Sequence, residues 1–88
     1  MQEFEGTIEF AGNSYRVAGV IEERERNGSK KWSGYFVTPE GAEFDPKADG
    51  PHKLKLDDNR SGNVIFASMD VDSSGTSVID FTGTGPLQ

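Results

Sequence analysis

Alternation with a period of two runs through most of the chain. Near the N-terminus, Phe4, Gly6, Ile8 and Phe10 alternate with Glu3, Glu5, Thr7 and Glu9. The next stretch repeats the pattern with Tyr15, Val17, Gly19 and Ile21. Such spacing marks strands with one buried face, whereas a helix would place apolar residues three and four apart. Eleven glycines and four prolines break up any helix-length run, and the longest stretch free of both, 63–74, alternates as well. The pattern predicts six strands and no substantial helix. They cover about 3–11, 14–25, a third running on from Asn27-Gly28, then 52–56, 63–72 and 76–83. In 52–56 the inward residues are Leu54 and Leu56, with Lys53 and Lys55 outward.

Turn chemistry sets the expected pairings. Gly12-Asn13 reads as a type II′ turn, which would set Phe10 opposite Tyr15, Ile8 opposite Val17, Gly6 opposite Gly19 and Phe4 opposite Ile21, with Glu9 meeting Arg16 outside. Asn27-Gly28 suits a type I′ turn, since both central residues there need positive φ. It sets Glu25 opposite Lys30, Ile21 opposite Gly34 and Gly19 opposite Phe36, a ring laid over bare backbone. A three-residue connection, Ser73-Ser74-Gly75, matches Met69 with Ile79 and Ala67 with Phe81. A two-residue turn would set Ile79 against Asp70, so the three-residue form is preferred. Glycines on the inner parity (Gly6, Gly19, Gly34) allow the bending that a small closed barrel requires. The expected architecture is all-β: one domain over 1–88, a small six-stranded antiparallel barrel mostly in meander order, SH3-like or OB-like in shape.

The Pro/Gly-rich segment 38–51 reads as a long loop whose one large apolar residue is Phe44. Phe44 either plugs an open end of the barrel or anchors a binding loop.

Composition narrows the function. Leu, Ile, Val and Phe together make up about 22% of the 88 residues, enough for a small core. Nine basic and fifteen acidic residues give a net charge of −6. No apolar run approaches the ~20 residues of a membrane helix. The acidic, alternating start does not resemble a secretion leader, and there is no cysteine. A cytoplasmic protein is expected, with no membrane association.

Two stretches, 57–62 and 70–75, share the pattern D-x-[DN]-x-S-G. That spacing opens a calcium loop of the EF-hand kind, with Asp57, Asn59, Asp70 and Asp72 as candidate ligands. The closing glutamate is missing, because the twelfth positions are Ser68 and Phe81. Asp, Asn, Ser and Gly also build tight turns, which is the first reading of both stretches. His52 is the sole imidazole, and its parity with Leu54 predicts a half-buried structural role. Asp45 and Asp49 read as loop carboxylates. No nucleophile stands in a GxSxG, HExxH or SxxK frame. Neither an enzyme nor a cofactor is expected.

Trp32, Tyr35, Phe36 and Phe66 could in principle stack bases on an OB-type barrel. The charge opposes it: Arg24, Arg26, Lys30 and Lys31 are interleaved with Glu22, Glu23 and Glu25, and phosphate binding needs basic contacts. Outward parity instead gathers apolar residues, Val20 beside Tyr35 and Ala18 beside Val37, with Val64, Phe66 and Val78 on neighbouring strands. Such a face calls for a cover, either the loop carrying Phe44 or a protein partner, including a second copy of the chain. The candidate contact residues are Val20, Tyr35, Val37, Phe44 and Phe66. The expected function is a non-catalytic protein-binding or adaptor module. The alternatives are a calcium or small-ligand binder built on the Asp-rich turns and, disfavoured by charge, a single-stranded nucleic-acid binder.

Overall fold

The computed structural model describes residues 1–38, 44, 50–71, 73 and 76–88. Six antiparallel strands are present: β1 (Gln2–Phe10), β2 (Asn13–Arg26), β3 (Ser29–Val37), β4 (His52–Leu56), β5 (Ser61–Val71) and β6 (Ser77–Thr84). They close into a barrel in the order β1-β2-β3-β6-β5-β4. Each half, β1-β2-β3 and β4-β5-β6, is a meander. The halves join where β3 lies beside β6 and β4 beside β1. No helix occurs among the described residues.

The β2–β3 hairpin turns at Asn27 (φ 53°) and Gly28 (φ 79°), and its pairs are those the Asn-Gly turn predicts, Glu25 with Lys30 through Gly19 with Phe36. The β1–β2 hairpin differs from expectation. Its turn is Ala11-Gly12, both at positive φ (52° and 80°), and Phe10 pairs with Asn13, not Tyr15. The strands therefore slide by two residues. Faces are preserved, because the side-chain period is two. Packing explains the slide. The expected register would set Gly6 against Gly19 and leave a gap in the wall. The observed one sets Gly6 between Val17 and Leu56, and Gly19 between Phe4 and Phe36. Each bare stretch of backbone is thereby covered from both sides.

In β5 the pairing that a three-residue connection demands is present near the turn, with Met69 opposite Ile79. Farther along, Phe66 and not Ala67 meets Phe81, so Ala67 is an extra residue in a bulge. One extra residue inverts the parity of everything beyond it. Val64 and Phe66, expected outside, are buried at 0% and 5% exposure, and Ile65 points out at 47%. Ser74 and Gly75 of the connection lie outside the described residues.

The core contains Phe4, Ile8, Val17, Ile21, Trp32, Phe36, Phe44, Leu54, Leu56, Val64, Phe66, Ile79 and Phe81. Its two ends are closed by aromatic rings. At one end Phe44 packs on Phe10 and Tyr15 (ring centroids 5.1 Å from each), Phe36 (5.7 Å) and Phe66 (6.0 Å). At the other, Trp32 covers Gly62 and Gly83, where any side chain would collide with its indole. The Trp32 Nε1–H donates to the Gly85 carbonyl at 2.9 Å. Gln88 and Ser61 exchange two backbone hydrogen bonds, which bring the C-terminal residues back beside β5.

Candidate functional site

Cross-strand pairing places two rows of side chains on the outside of the barrel. One reads Glu3, Val20, Tyr35, Asp80 and Ser68 across β1, β2, β3, β6 and β5. The next reads Glu5, Ala18, Val37, Val78 and Asp70. The apolar residues of each row are flanked by acids, Glu3 and Asp80 in the first and Glu5 and Asp70 in the second. Tyr35 is 37% exposed and Val37 41%, with Val20 and Val78 half-buried between their neighbours. β-branched and aromatic residues suit a strand on propensity alone, but propensity does not require them to adjoin on the solvent side. A shallow groove of about 650 Å³ runs over Ala18, Val20, Tyr35 and Val37 to a wall formed by Glu3, Glu5, Asp57, Asp58 and Arg60.

The wall is only partly neutralised. Arg16 forms a two-pronged pair with Asp57, its Nη1 and Nη2 donating at 2.7 and 2.8 Å. That hydrogen bond holds the Asp57 carboxyl below its usual range and pushes the Arg16 guanidinium up. Asp58 is also lowered, first by the backbone N–H of Arg60 at 3.0 Å and then by the Arg60 guanidinium. Glu5 reaches Arg16 only at 3.9 Å, and Glu3 enters none of the ion pairs of the described residues. On the other side of Tyr35, Asp80 accepts a hydrogen bond from the Ser68 hydroxyl at 2.8 Å and enters none of the ion pairs of the described residues. The groove therefore offers an apolar floor between two lines of negative charge.

Val20, Tyr35 and Val37 lie together on this face. Phe66 and Phe44 do not. Phe66 is turned inward by the β5 bulge, and Phe44 is 7% exposed within the ring cluster at the barrel end, so Phe44 does not cover Tyr35. The candidate metal ligands are also separated. Asp57 and Asn59 lie in the turn before β5 and Asp70 near its far end, nine residues beyond Ser61, or about 30 Å along a strand. One ion cannot span both turns. Asp57 and Asp58 spend their oxygens on Arg16 and Arg60, and Asn59 occupies the positive-φ position of the turn (75°), as turn chemistry requires. No group of three or more metal-ligating side chains occurs among the described residues. Asp72, Asp45 and Asp49 lie outside them. His52 is half-buried, stacked on Phe66 with centroids 4.4 Å apart. Of the four aromatics considered for base stacking, Trp32, Phe36 and Phe66 are buried and only Tyr35 is exposed.

Sequence reasoning did not reach the frame of the patch. That Glu3 and Glu5 face outward follows from alternation, but Asp80 joins the same row only because β6 pairs with β3, a contact between distant segments. The signal available was the outward parity of every charged position in β1 and β6. Comparison with known proteins finds no family model, no curated relative and no solved structure that matches this chain.

Proposed function

We propose that this chain is a non-catalytic protein-binding module whose contact surface is the outer groove of β1, β2 and β3. The observation that carries the reading is the run of adjoining apolar side chains (Val20, Tyr35, Ala18, Val37 and Val78) on the solvent side of a barrel whose inside is already filled. A barrel of this size gains its stability from the inner face, and adjoining apolar groups outside point to a partner that removes them from water. The chemistry of that partner follows from the frame. Apolar groups would meet the floor formed by Tyr35 and Val37, and basic groups would answer Glu3, Glu5 and Asp80. An extended segment alternating apolar and basic residues fits, since its alternate side chains face alternate ways.

The test is an amide NMR titration with an eight-residue peptide alternating Lys and Val, against a control alternating Glu and Val. The Lys peptide is expected to shift the amides of Ala18, Val20, Tyr35 and Val37 in a saturable way, and the Glu peptide to leave them in place. Equal response to both peptides, or shifts confined to other parts of the barrel, would overturn the reading.

A further inference from the structure

The β2–β3 hairpin is longer than the barrel needs. Beyond Ser33, which pairs with Thr82, β3 has no partner on the β6 side, so residues 24–31 form a two-stranded arm that projects from the wall. Every residue from Glu23 to Lys31 is exposed. Pairing sorts the charges of the arm by face. Glu23, Glu25 and Lys30 fall on the parity of Ile21 and Trp32. Arg24, Lys31 and Arg26 fall on the parity of Val20 and Tyr35. Charges that alternate in sequence are thus separated in space. On the face that continues from the groove the arm carries three cations and no carboxylate beyond Glu22, which is paired to Arg24 at 3.0 Å. Arg26 and Lys31 enter none of the ion pairs of the described residues.

The outer face of this one ribbon therefore bears at one end an apolar floor, flanked by the acids of β1 and β6, and at the other a basic patch. Val20 and Arg24 are four residues apart, about 13 Å along the strand. We propose that the occupant of the groove is the β2–β3 arm of a second copy of this chain, an arm that has no apolar residue of its own and covers Val20 and Tyr35 with the aliphatic stems of Arg24 and Lys31. A two-fold axis near the level of Glu22 and Ser33 would set the Arg24, Arg26 and Lys31 of each copy against the Glu3, Glu5 and Asp80 of the other. Both contacts form at once, and such an isologous pair closes on itself. Reciprocity matters for size. A standard interface takes about 800 Å² from each partner, about one-seventh of the 5798 Å² that this chain exposes. One eight-residue arm in one groove falls short of that, whereas giving an arm and receiving one doubles the contact. The net charge of −6 on each copy does not forbid the pair. Its excess charge is spread over the barrel and screened beyond about 8 Å at physiological salt, while opposite charges at the contact act at hydrogen-bond range.

This inference rests on the protein-binding reading of the groove, and a charge-exchange experiment separates the two. In the arm variant Arg26 and Lys31 become Glu (R26E, K31E). In the groove variant Glu3 and Glu5 become Lys (E3K, E5K). All four positions are exposed, and thermal melts verify that both variants fold. Sedimentation is expected to show the wild-type chain pairing with rising concentration, and the pair loosening about tenfold or more between 100 and 500 mM salt. Each variant alone, with like charges facing, is expected to weaken pairing by more than about tenfold. Mixed together, they should form a heterodimer, because acidic arm then meets basic groove and basic arm meets acidic groove. A wild-type chain that stays monomeric, or pairing that neither variant weakens, would overturn the inference. The Lys-Val peptide titration of the wild-type chain would still decide whether the groove binds other proteins.

Discussion

Replacing Gly19 with alanine tests the observed register at its tightest point. A Cβ at Gly19 would collide with the Tyr35 carbonyl oxygen and lie 2.7 Å from the Phe36 Cα. These are main-chain atoms of β3, held on their far side by β6, so no rotamer change relieves the overlap. Overpacking of this kind costs about 1–3 kcal/mol, and a backbone obstruction belongs at the upper end. A domain of 88 residues has roughly 4–13 kcal/mol in total. At about 4–8 °C per kcal/mol, a cost of about 3 kcal/mol lowers the melting temperature by roughly 12–24 °C. Gly12→Ala is the control. Gly12 has φ +80° but no heavy atom within 4 Å of a built Cβ, so only the backbone penalty of about 1 kcal/mol applies. Thermal melts followed by circular dichroism compare the two. If Gly19→Ala melts no lower than Gly12→Ala, the close approach of β2 to β3, and with it the register, is wrong.

Two further outcomes follow from the ends and the rim. Trp32→Phe keeps a ring over Gly62 and Gly83 but removes the hydrogen bond to Gly85. It should cost about 1 kcal/mol and speed hydrogen exchange at the Gln88 amide while leaving the β1–β2 ladder protected; an unchanged Gln88 would show that the indole does not hold the tail. The Asp57 carboxyl is lowered by its bond to Arg16, so the stability it contributes is present above the unfolded-state pKa of about 4 and is lost as pH falls through the lower folded value. Arg16→Gln should raise the Asp57 pKa toward the ordinary range, read by a carboxyl-carbon NMR titration, and flatten the loss of stability on acidification; an unmoved titration would contradict the pairing.

What could be read from the sequence was set locally. Asn27-Gly28 specifies its hairpin because few other residues tolerate positive φ twice in succession, and the faces of β1, β2 and β4 follow from alternation. The two-residue slide of β1 against β2 escaped because it preserves every face, so polarity cannot sense it. What selects it is the separation of the two glycines, which sets Val17 of β2 across from Gly6 and Phe4 of β1 across from Gly19. The bulge at Ala67 escaped for the opposite reason. Both parities of β5 carry apolar residues, Ile65, Ala67 and Met69 against Val64 and Phe66, so the pattern could not show where the parity changes. For the candidate site, Val20, Tyr35 and Val37 were legible from one hairpin. The acidic frame needed β3 beside β6, and separation of the charges in the arm needed the pairing of Arg24 with Lys31 to be applied to the mixed run of Arg, Lys and Glu.

One variant separates the proposed role of Tyr35 in holding a partner from a role in the fold. Tyr35→Ser removes an exposed ring from the middle of the apolar row, where cross-strand contacts with Val20 and Asp80 are worth roughly 0.2–1 kcal/mol. The variant should melt within a few degrees of the wild-type chain, and in the Lys-Val peptide titration it should lose most of the response at Val20 and Val37, as truncation of a central aromatic does at an interface. A variant that binds the peptide as the wild-type chain does, or that loses binding only because the barrel has unfolded, would contradict the account.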